Sequence, residues 1–361
     1  MKLVVSVALL LLCAIVQNPA RAEPYFAVRM GLKCSACHVN PTGGGMRNAY
    51  GEIWGQTVLP AHHLDTGDDA QWTGEISRYL AIGGNLRANA SYTRIPNQPK
   101  QSAFDLEELR VYLEARVIPD RLSVYVDQRL GPGASTNAEA YGRFWFAGQH
   151  AYVKAGQMFL PYGLRLQDDS AFIRQAPGIN FATPDHGVEV GLETAVWSAQ
   201  LAVSNGTAGG PELDNGKQVS LRVERVMSGW RAGASFNTNH TDVGDRRMGN
   251  LFAGLRTGPI AWLAEADYID DHSLVPGRKQ LAGLIEADWN LLPGQNLKLT
   301  AEEFDPSRDV SEDQQTRYSL LWEYTPMQFV QLRAGLRYYD GIPQNDLQNR
   351  QQLFLQVNGY F

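Results

Sequence analysis

The sequence predicts an all-β protein: a transmembrane antiparallel β-barrel of about 16 strands behind a small N-terminal segment. Three observations lead to this fold class. Segments of alternating polar and apolar residues recur from residue 71 onward, short turns alternate regularly with longer polar loops, and the composition is that of a turn-rich β protein. The 361 residues include 35 glycines and 15 tyrosines, and only 19% are charged. Abundant turns and interfacial aromatic residues are typical of outer-membrane barrels.

The first 22 residues have the pattern of a secretory signal peptide. A basic start at Lys2 precedes an apolar stretch from Leu3 to Val16, and Ala20 and Ala22 supply the small residues of a cleavage site. We therefore predict cleavage between Ala22 and Glu23. Cys13 raises the alternative of a lipoprotein signal, but Leu12 stands where a small residue should precede a lipidated cysteine. No later apolar run reaches 18 residues, so no transmembrane helix is predicted.

A short segment, residues 23–70, carries the strongest local motif. Cys34-Ser35-Ala36-Cys37-His38 is a C-x-x-C-H sequence, the attachment motif of one covalent haem c, in which two thiols bind the porphyrin and the histidine ligates iron. A thioredoxin-like thiol pair would need a βαβ pattern that is missing here. A disulfide between Cys34 and Cys37 would leave His38 unexplained. Chains of this length seldom fold without a disulfide, a metal or a similar stabilising group, and a covalent haem would be such a group.

The sixth ligand of the haem iron stays open at the level of sequence. Met46 follows His38 beyond a turn of three glycines, and His62 and His63 follow Pro60. A methionine would raise the haem potential relative to a second histidine. Each candidate also has an ordinary interpretation: Met46 as a core residue, and the histidine pair as a solvated linker.

Period-2 alternation defines the predicted barrel, residues 71–361. It is clearest at residues 82–92, 109–117 and 332–338, where apolar residues occupy one face and polar residues the other. Short turns are predicted at 119–120, 149–150, 197–198, 228–229, 257–259, 293–294 and 326–327. Longer loops are predicted at 95–103, 131–137, 164–186, 207–215, 240–246, 270–278, 305–313 and 340–349. This arrangement gives an even strand number and places both termini on the short-turn, periplasmic side.

Three further features belong to the predicted barrel. The last strand ends at Phe361, a terminal aromatic residue like the assembly signal of outer-membrane barrels, although Gly359 departs from that signal. The apolar residues of loop 164–186 predict that this loop folds into the pore. Four acidic residues are predicted to cluster on one wall of the lumen: Glu265, Asp267, Glu286 and Asp288. Arginines are predicted on the opposite wall.

In arrangement, the chain resembles the fused cytochrome–porins of iron-oxidising bacteria. The resemblance rests on Phe26-Ala27-Val28-Arg29-Met30-Gly31, the C-x-x-C-H motif, Asn40-Pro41 and Gly51. Because one haem is shorter than the apolar band of roughly 25 Å, electron transfer would also need an external electron donor or acceptor and a periplasmic c-type cytochrome or other electron carrier. The barrel also resembles anion-selective porins through residues 156–163. The Gly43-Gly44-Gly45 turn and the comparatively short barrel depart from the iron-oxidase pattern, so iron is not assumed as the donor.

These features predict electron transfer across the outer membrane by a c-type haem held at or in the barrel. The alternative is a diffusion porin with a periplasmic haem plug or redox gate. A haem enzyme is a third interpretation, but the sequence offers no constellation of acid and base groups for it. Asp168-Asp169 and Asp270-Asp271 are candidate Fe²⁺ ligands; alternatively, such acids are solvated or bridge lipopolysaccharide through divalent cations. The net charge of −6 speaks against nucleic acid as a partner.

Overall fold

In the computed structural model, residues 23–64, 71–274 and 276–361 are described. The predicted signal peptide, Cys13 and residues 65–70 lie outside the described residues. The described part folds into one antiparallel sheet that closes on itself, with a short helical segment at its N-terminal end.

Sixteen strands form the closed barrel in the described part of the chain, as the sequence predicts. Each pairs antiparallel with its neighbours, and the last strand pairs with the first from Gln351↔Arg94 to Tyr360↔Asn85. A further three-residue strand, Glu75–Ser77, pairs with the start of the first. The barrel strands are β1 (Leu80–Arg94), β2 (Gln101–Ile118), β3 (Leu122–Gly131), β4 (Thr136–Phe146), β5 (Ala151–Met158), β6 (Asp185–Glu193), β7 (Trp197–Ser204), β8 (Gln218–Met227), β9 (Trp230–Thr241), β10 (Gly244–Thr257), β11 (Ile260–Asp271), β12 (Arg278–Leu292), β13 (Gln295–Asp305), β14 (Gln315–Met327), β15 (Val330–Asp340) and β16 (Gln351–Tyr360).

The connections alternate between short turns and longer loops, with three corrections to the predicted positions. The turn predicted at 197–198 lies at 194–196, because Trp197 already pairs with Arg225 of β8. The turn predicted at 326–327 lies at 328–329, since Met327 pairs with Val330. The loop predicted at 240–246 is a two-residue turn, because β9 and β10 stay paired as far as Thr241↔Gly244. The predicted loop was too long because the polar residues at the ends of β9 and β10 belong to the paired strands.

Alternation along each strand separates the two faces of the barrel wall. On β12, Leu281, Ile285 and Trp289 are exposed on the outside, whereas Glu286 and Asp288 between them are buried inside. An apolar outer face over a polar interior is the surface that such a barrel turns toward lipid. In the part of the chain that is described, no helix is both long and apolar enough to cross a membrane.

The N-terminal segment, residues 23–64, lies inside the barrel and is called the plug below. It contains helix α1 (Pro24–Met30), a 3-10 helix (Cys34–Ala36) and helix α2 (Ala49–Thr57). Pro24 suits the first turn of α1, and Gly31 ends that helix in a left-handed conformation. Asn48 caps α2 by accepting a hydrogen bond from the Gly51 N–H. These helices are short, so the apolar side chains of the plug are buried mainly against the barrel wall and not against each other.

The C-terminal residue completes the barrel seam. The backbone groups of Phe361 and Gly84 exchange hydrogen bonds of 2.8 and 3.1 Å. A Cβ atom at Gly84 would lie only 2.5 Å from the Phe361 ring. The glycine therefore leaves the space that the terminal aromatic residue occupies where β16 meets β1.

Candidate functional site

Ion pairs and hydrogen bonds hold the plug against opposite walls of the lumen. On one side, the Tyr25 hydroxyl donates to Glu323 of β14 at 2.5 Å, and Arg29 donates to the Asp288 carbonyl at 2.8 Å. Toward the other side, Lys33 pairs with Glu193 of β6 at 2.6 Å. Hydrogen bonds to charged groups contribute roughly 1.5–3 kcal/mol each when buried. The plug is thus fixed in the lumen by partners distributed around the barrel.

The C-x-x-C-H motif forms one tight turn within the plug. The carbonyl of Cys34 accepts hydrogen bonds from the backbone N–H groups of Cys37 and His38 at 3.2 and 3.0 Å. The side-chain amide of Asn48 donates to the Ala36 carbonyl at 3.1 Å. Both cysteines are free thiols, so the disulfide alternative is not what this structure contains. Cys37 and His38 are 7% and 8% exposed.

The electrostatic setting of the two thiols differs. Burial, with a contribution from Cys34, raises the pKa of the Cys37 thiol to about 12. Cys34 is only partly buried and lies 3.7 Å from the Arg231 guanidinium of β9. Arg231 itself is paired with Glu224. The motif therefore lies where a cationic side chain from the barrel wall reaches the plug.

Three consecutive glycines shape the chain after His38. Gly43, Gly44 and Gly45 have φ angles of 89°, 78° and 63°, a run of left-handed conformations that other residues rarely adopt. A Cβ atom at Gly44 would come within 2.6 Å of the Phe181 ring. At Gly45 the same atom would lie 2.6 Å from the Tyr125 hydroxyl. The turn therefore fits closely between the plug, the barrel wall and the loop after β5.

The three candidates for the sixth ligand lie in two places, Met46 in one and His62 with His63 in the other. None of the three residues lines the cavities that His38 lines. Met46 is buried in a cluster with wall tyrosines, and its N–H donates to Tyr125 at 2.9 Å. His62 and His63 are exposed, and the His62 N–H donates to the Pro326 carbonyl at the rim. The identity of the sixth ligand stays a prediction.

The long loop after β5, residues 159–184, folds into the lumen, which confirms that prediction. Leu164, Ile173 and Ile179 are buried, and Phe172 begins the single-turn helix α3 (Phe172–Gln175). Arg165 reaches the plug, where it donates to the Gly43 carbonyl at 2.9 Å. Burial lowers the pKa of Arg165 to about 10. The plug and the loop thus meet inside the barrel.

The two acid pairs considered as Fe²⁺ ligands are engaged in ion pairs. Asp168 contacts both Arg317 and Arg337 at 3.0 Å. In the second pair, Asp271 contacts Arg246 at 2.9 Å and Asp270 contacts His272 at 3.1 Å. Within the described ranges, no group of three or more His, Cys, Asp or Glu residues is arranged to hold a metal ion.

Asp168 attaches the loop after β5 to strands β14 and β15 of the barrel wall through Arg317 and Arg337. Burial acts to raise the pKa of its carboxyl group, but Arg317 and Arg337 outweigh burial and hold that pKa well below its ordinary value. A carboxyl group with a depressed pKa stabilises the fold above the unfolded value of about 3.9 and loses that contribution only as pH falls through the lower, folded value. The loop therefore stays pinned at neutral pH and down to about pH 4.

We expect Asp168→Asn to loosen this loop. Removing the charge weakens two partly buried ion pairs, each worth about 1 kcal/mol, so amide hydrogen exchange of residues 166–175 should accelerate by about tenfold. Mass spectrometry of the exchanging protein in detergent measures this change. Asp309→Asn in an exposed loop serves as the control and should leave those amides unchanged. Equal exchange rates in both variants would contradict the pinning role.

Several cavities border the plug. A cleft of about 540 Å³ reaches His38 and is also lined by residues of the short turns, among them Asp120, Arg121 and Gln149. A second cavity, of about 380 Å³, lies beside the loop and is lined by Glu23, Asp168 and Arg317.

The acidic residues predicted to share a wall do so on adjacent strands β11 and β12: Glu265, Asp267, Glu286 and Asp288.

Sequence reasoning missed the wall residues that hold the plug. Alternation along a strand indicates which face Glu139, Glu193 or Glu323 occupies, but not which residue of the plug each one contacts. Asn40 donates to Glu139 at 2.9 Å across 99 positions of the chain. Only closure of the barrel around the plug brings such pairs together.

Comparison with solved structures shows porins and outer-membrane channels. OmpT of Vibrio cholerae, in a loop L8 deletion mutant, is 13% identical with a TM-score of 0.62, covering 78% of this chain and 99% of that one. An anion-selective porin from Comamonas acidovorans is 9% identical with a TM-score of 0.61, at 78% and 99% coverage. OprB of Pseudomonas putida is 8% identical with a TM-score of 0.62, at 79% and 94% coverage. No protein-family model and no curated protein matches the sequence.

The fold is therefore that of an outer-membrane porin-like barrel. Within that class, this chain carries a plug with a C-x-x-C-H motif inside the barrel.

Proposed function

We propose that this protein transfers electrons across the bacterial outer membrane by a haem c bound through Cys34 and Cys37, with His38 as an axial ligand. The observation that carries the proposal is the position of the motif. Cys37 and His38 are buried within the lumen, in a plug that occupies the path a diffusing solute would take. A barrel of this size otherwise leaves an aqueous channel.

The types of residue around the motif suit such a group, although the free space between them, about 30 Å³, is smaller than a porphyrin ring. Both thiols are free and lie on one turn with His38. The three residues line a common cavity with apolar side chains, Phe26 and Leu164 among them, and with three arginines, Arg165, Arg222 and Arg231. Apolar contacts match a porphyrin ring, and arginines match its carboxylates. When bound, the group supplies a one-electron carrier whose potential depends on its axial ligands and surroundings.

The chain's own residues supply an anchor for the motif and an access path to it in this proposal. Lys33, paired with Glu193, fixes the start of the motif to the barrel wall. The cleft that reaches His38 gives a periplasmic c-type cytochrome or another electron carrier a path to the site from the rim. One haem is shorter than the apolar band of roughly 25 Å, so an external electron donor or acceptor must approach from the loop side.

The second candidate is a diffusion porin in which the plug acts as a gate. The comparisons favour it, because the similar structures are described as porins and outer-membrane channels, one of them anion-selective. The likeness to fused cytochrome–porins supports the electron-transfer proposal instead. The two candidates differ in one measurable property: whether electrons or solutes cross the bilayer.

Liposomes distinguish them. We expect vesicles carrying the protein, with an oxidised dye inside and a membrane-impermeant reductant outside, to show dye reduction that falls at least about tenfold in the His38→Ala variant. His240→Ala, at an exposed histidine near the end of β9, is the matched control and should keep most of the rate. The same preparations should retain peroxidase staining after denaturation, and Cys34→Ser with Cys37→Ser should abolish it. Solute efflux without dye reduction would overturn the proposal in favour of the porin.

A further inference from the structure

The outer face of the barrel has a groove of about 1020 Å³ on the wall formed by strands β11 to β16 and β1. Its apolar lining consists of side chains that point away from the lumen and are exposed, such as Ile285, Leu299 and Leu336. The outside of a closed barrel is convex on average, so a groove that crosses several strands is a recess in the wall. The recess gives this face a shape that the rest of an evenly curved wall would not have.

Strand register builds the floor of the groove from two rows of outward residues. In the deeper row, called the leucine row below, each residue pairs with the next across neighbouring strands: Tyr92, Leu353, Leu336, Leu320, Leu299 and Ala287. The next row toward the loops is paired in the same way: Arg94, Gln351, Tyr338, Tyr318 and Ala301. Ala287 and Ala301 each pair with large residues on both sides. Their short side chains leave the space of the groove.

The charged residues of the groove have one sign. Arg94, Lys100 and Arg337 line it, and no aspartate or glutamate among the described residues does so. Arg337 is engaged on the lumen side, where it contacts Asp168 at 3.0 Å. Arg94 and Lys100 are exposed, and neither forms an ion pair within the described part of the chain. Two positive charges therefore lie beside apolar surface, where they are complementary to an anionic group such as a phosphate.

The order of residues along the groove matches the order of groups in a lipid. Arg94 ends β1 on the loop side, and Lys100 lies in the loop that follows. Tyr318 and Tyr338 are exposed on the outside and correspond to the aromatic girdle at a membrane interface. The leucine row lies deeper in the wall than these tyrosines. From the loops inward, the groove thus presents cations, interfacial aromatic rings and apolar side chains.

We propose that this groove binds one molecule of lipopolysaccharide, the phosphorylated glycolipid of the outer leaflet, with a phosphate at Arg94 and Lys100 and acyl chains along the leucine row. The longer loops of outer-membrane barrels face the cell exterior, so the basic end of the groove lies in the leaflet that contains this lipid. Lipid tails are as apolar as leucine, so the headgroup charge and the shape of the groove select this ligand over other lipids. The site is separate from the plug and does not depend on haem.

Native mass spectrometry of the exported protein, delipidated in detergent, tests the headgroup contact with hexa-acylated lipid A carrying two phosphates as the probe. We expect one tightly bound probe per barrel. Arg94→Gln with Lys100→Gln should weaken its binding by about tenfold or more, because each basic residue adds attraction to an anionic lipid. Arg278→Gln with Lys279→Gln removes two exposed charges on the loop side but outside the groove, and is the matched control. Equal binding by both double variants, or equal binding of lipid A without its phosphates, contradicts the proposal.

A change in the shape of the groove tests the acyl-chain contact. Ala301→Phe places a ring in the groove and keeps the surface apolar, so we expect the same probe to bind about tenfold more weakly. Ala266→Phe, at an exposed outward position of β11 outside the groove, is the control and should bind the probe as the native protein does. Heat-dependent mobility on gels shows that both barrels are folded. A delipidated protein that forms a dimer or trimer, which Ala301→Phe dissociates, would place a second copy in the groove and overturn the proposal.

Discussion

Removing the plug should open the barrel. In a chain that lacks residues 23–64 but keeps the signal peptide, we expect single-channel conductance to rise by about tenfold or more, because barrels of this strand number leave an aqueous channel when nothing fills them. The plug supplies Tyr25, Phe26 and Trp54 to the hydrophobic cluster inside the lumen. Planar-bilayer recording of the two purified proteins measures the change.

The inward-folded loop remains in that variant, so the open barrel should still conduct less than one that also lacks residues 168–182. Deleting only the exposed residues 308–312 is the matched control, and its conductance should equal that of the intact chain. An intact chain that already conducts like the deletion would mean that the plug leaves the lumen in solution. That result would favour the diffusion porin over the electron-transfer protein.

The second large effect concerns a buried ion pair in the wall. Lys154 of β5 and Glu189 of β6 are 3.0 Å apart, and both side chains are completely buried. The Tyr152 hydroxyl also donates to Glu189, at 2.7 Å. Lys154→Met leaves an unpaired buried carboxylate, so we expect the free energy of unfolding to fall by about 3–5 kcal/mol. Urea unfolding in detergent micelles, followed by tryptophan fluorescence, measures it.

Two companion variants make this prediction specific. Combining Lys154→Met with Glu189→Leu removes both charges, and replacing a whole buried pair is often neutral, so most of the lost stability should return. Lys217→Met breaks an exposed pair with Glu212 and should cost less than about 1 kcal/mol. A double variant as unstable as the single one would show that the cost arises from packing around Lys154 rather than from charge.

The strand pattern and the C-x-x-C-H motif could be identified from the sequence for a simple reason. Alternation is a local property with a period of two residues, and membrane and lumen impose opposite polarity on the two faces of every strand. The inward loop was also predictable, because apolar residues such as Phe172 and Ile173 would be unfavourable in an external polar loop. Turn positions failed where polar residues continued a paired strand, as at β9 and β10.

The sequence by itself determined a barrel of about 16 strands, the C-x-x-C-H motif and the inward loop, because each depends on residues close together in the chain. Tertiary structure alone decided that the plug enters the lumen and which wall residues hold it. Tyr25 and Glu323 are 298 positions apart, and Lys33 and Glu193 are 160 apart. Contacts at such separations depend on how the barrel closes around the plug, and no local pattern encodes them.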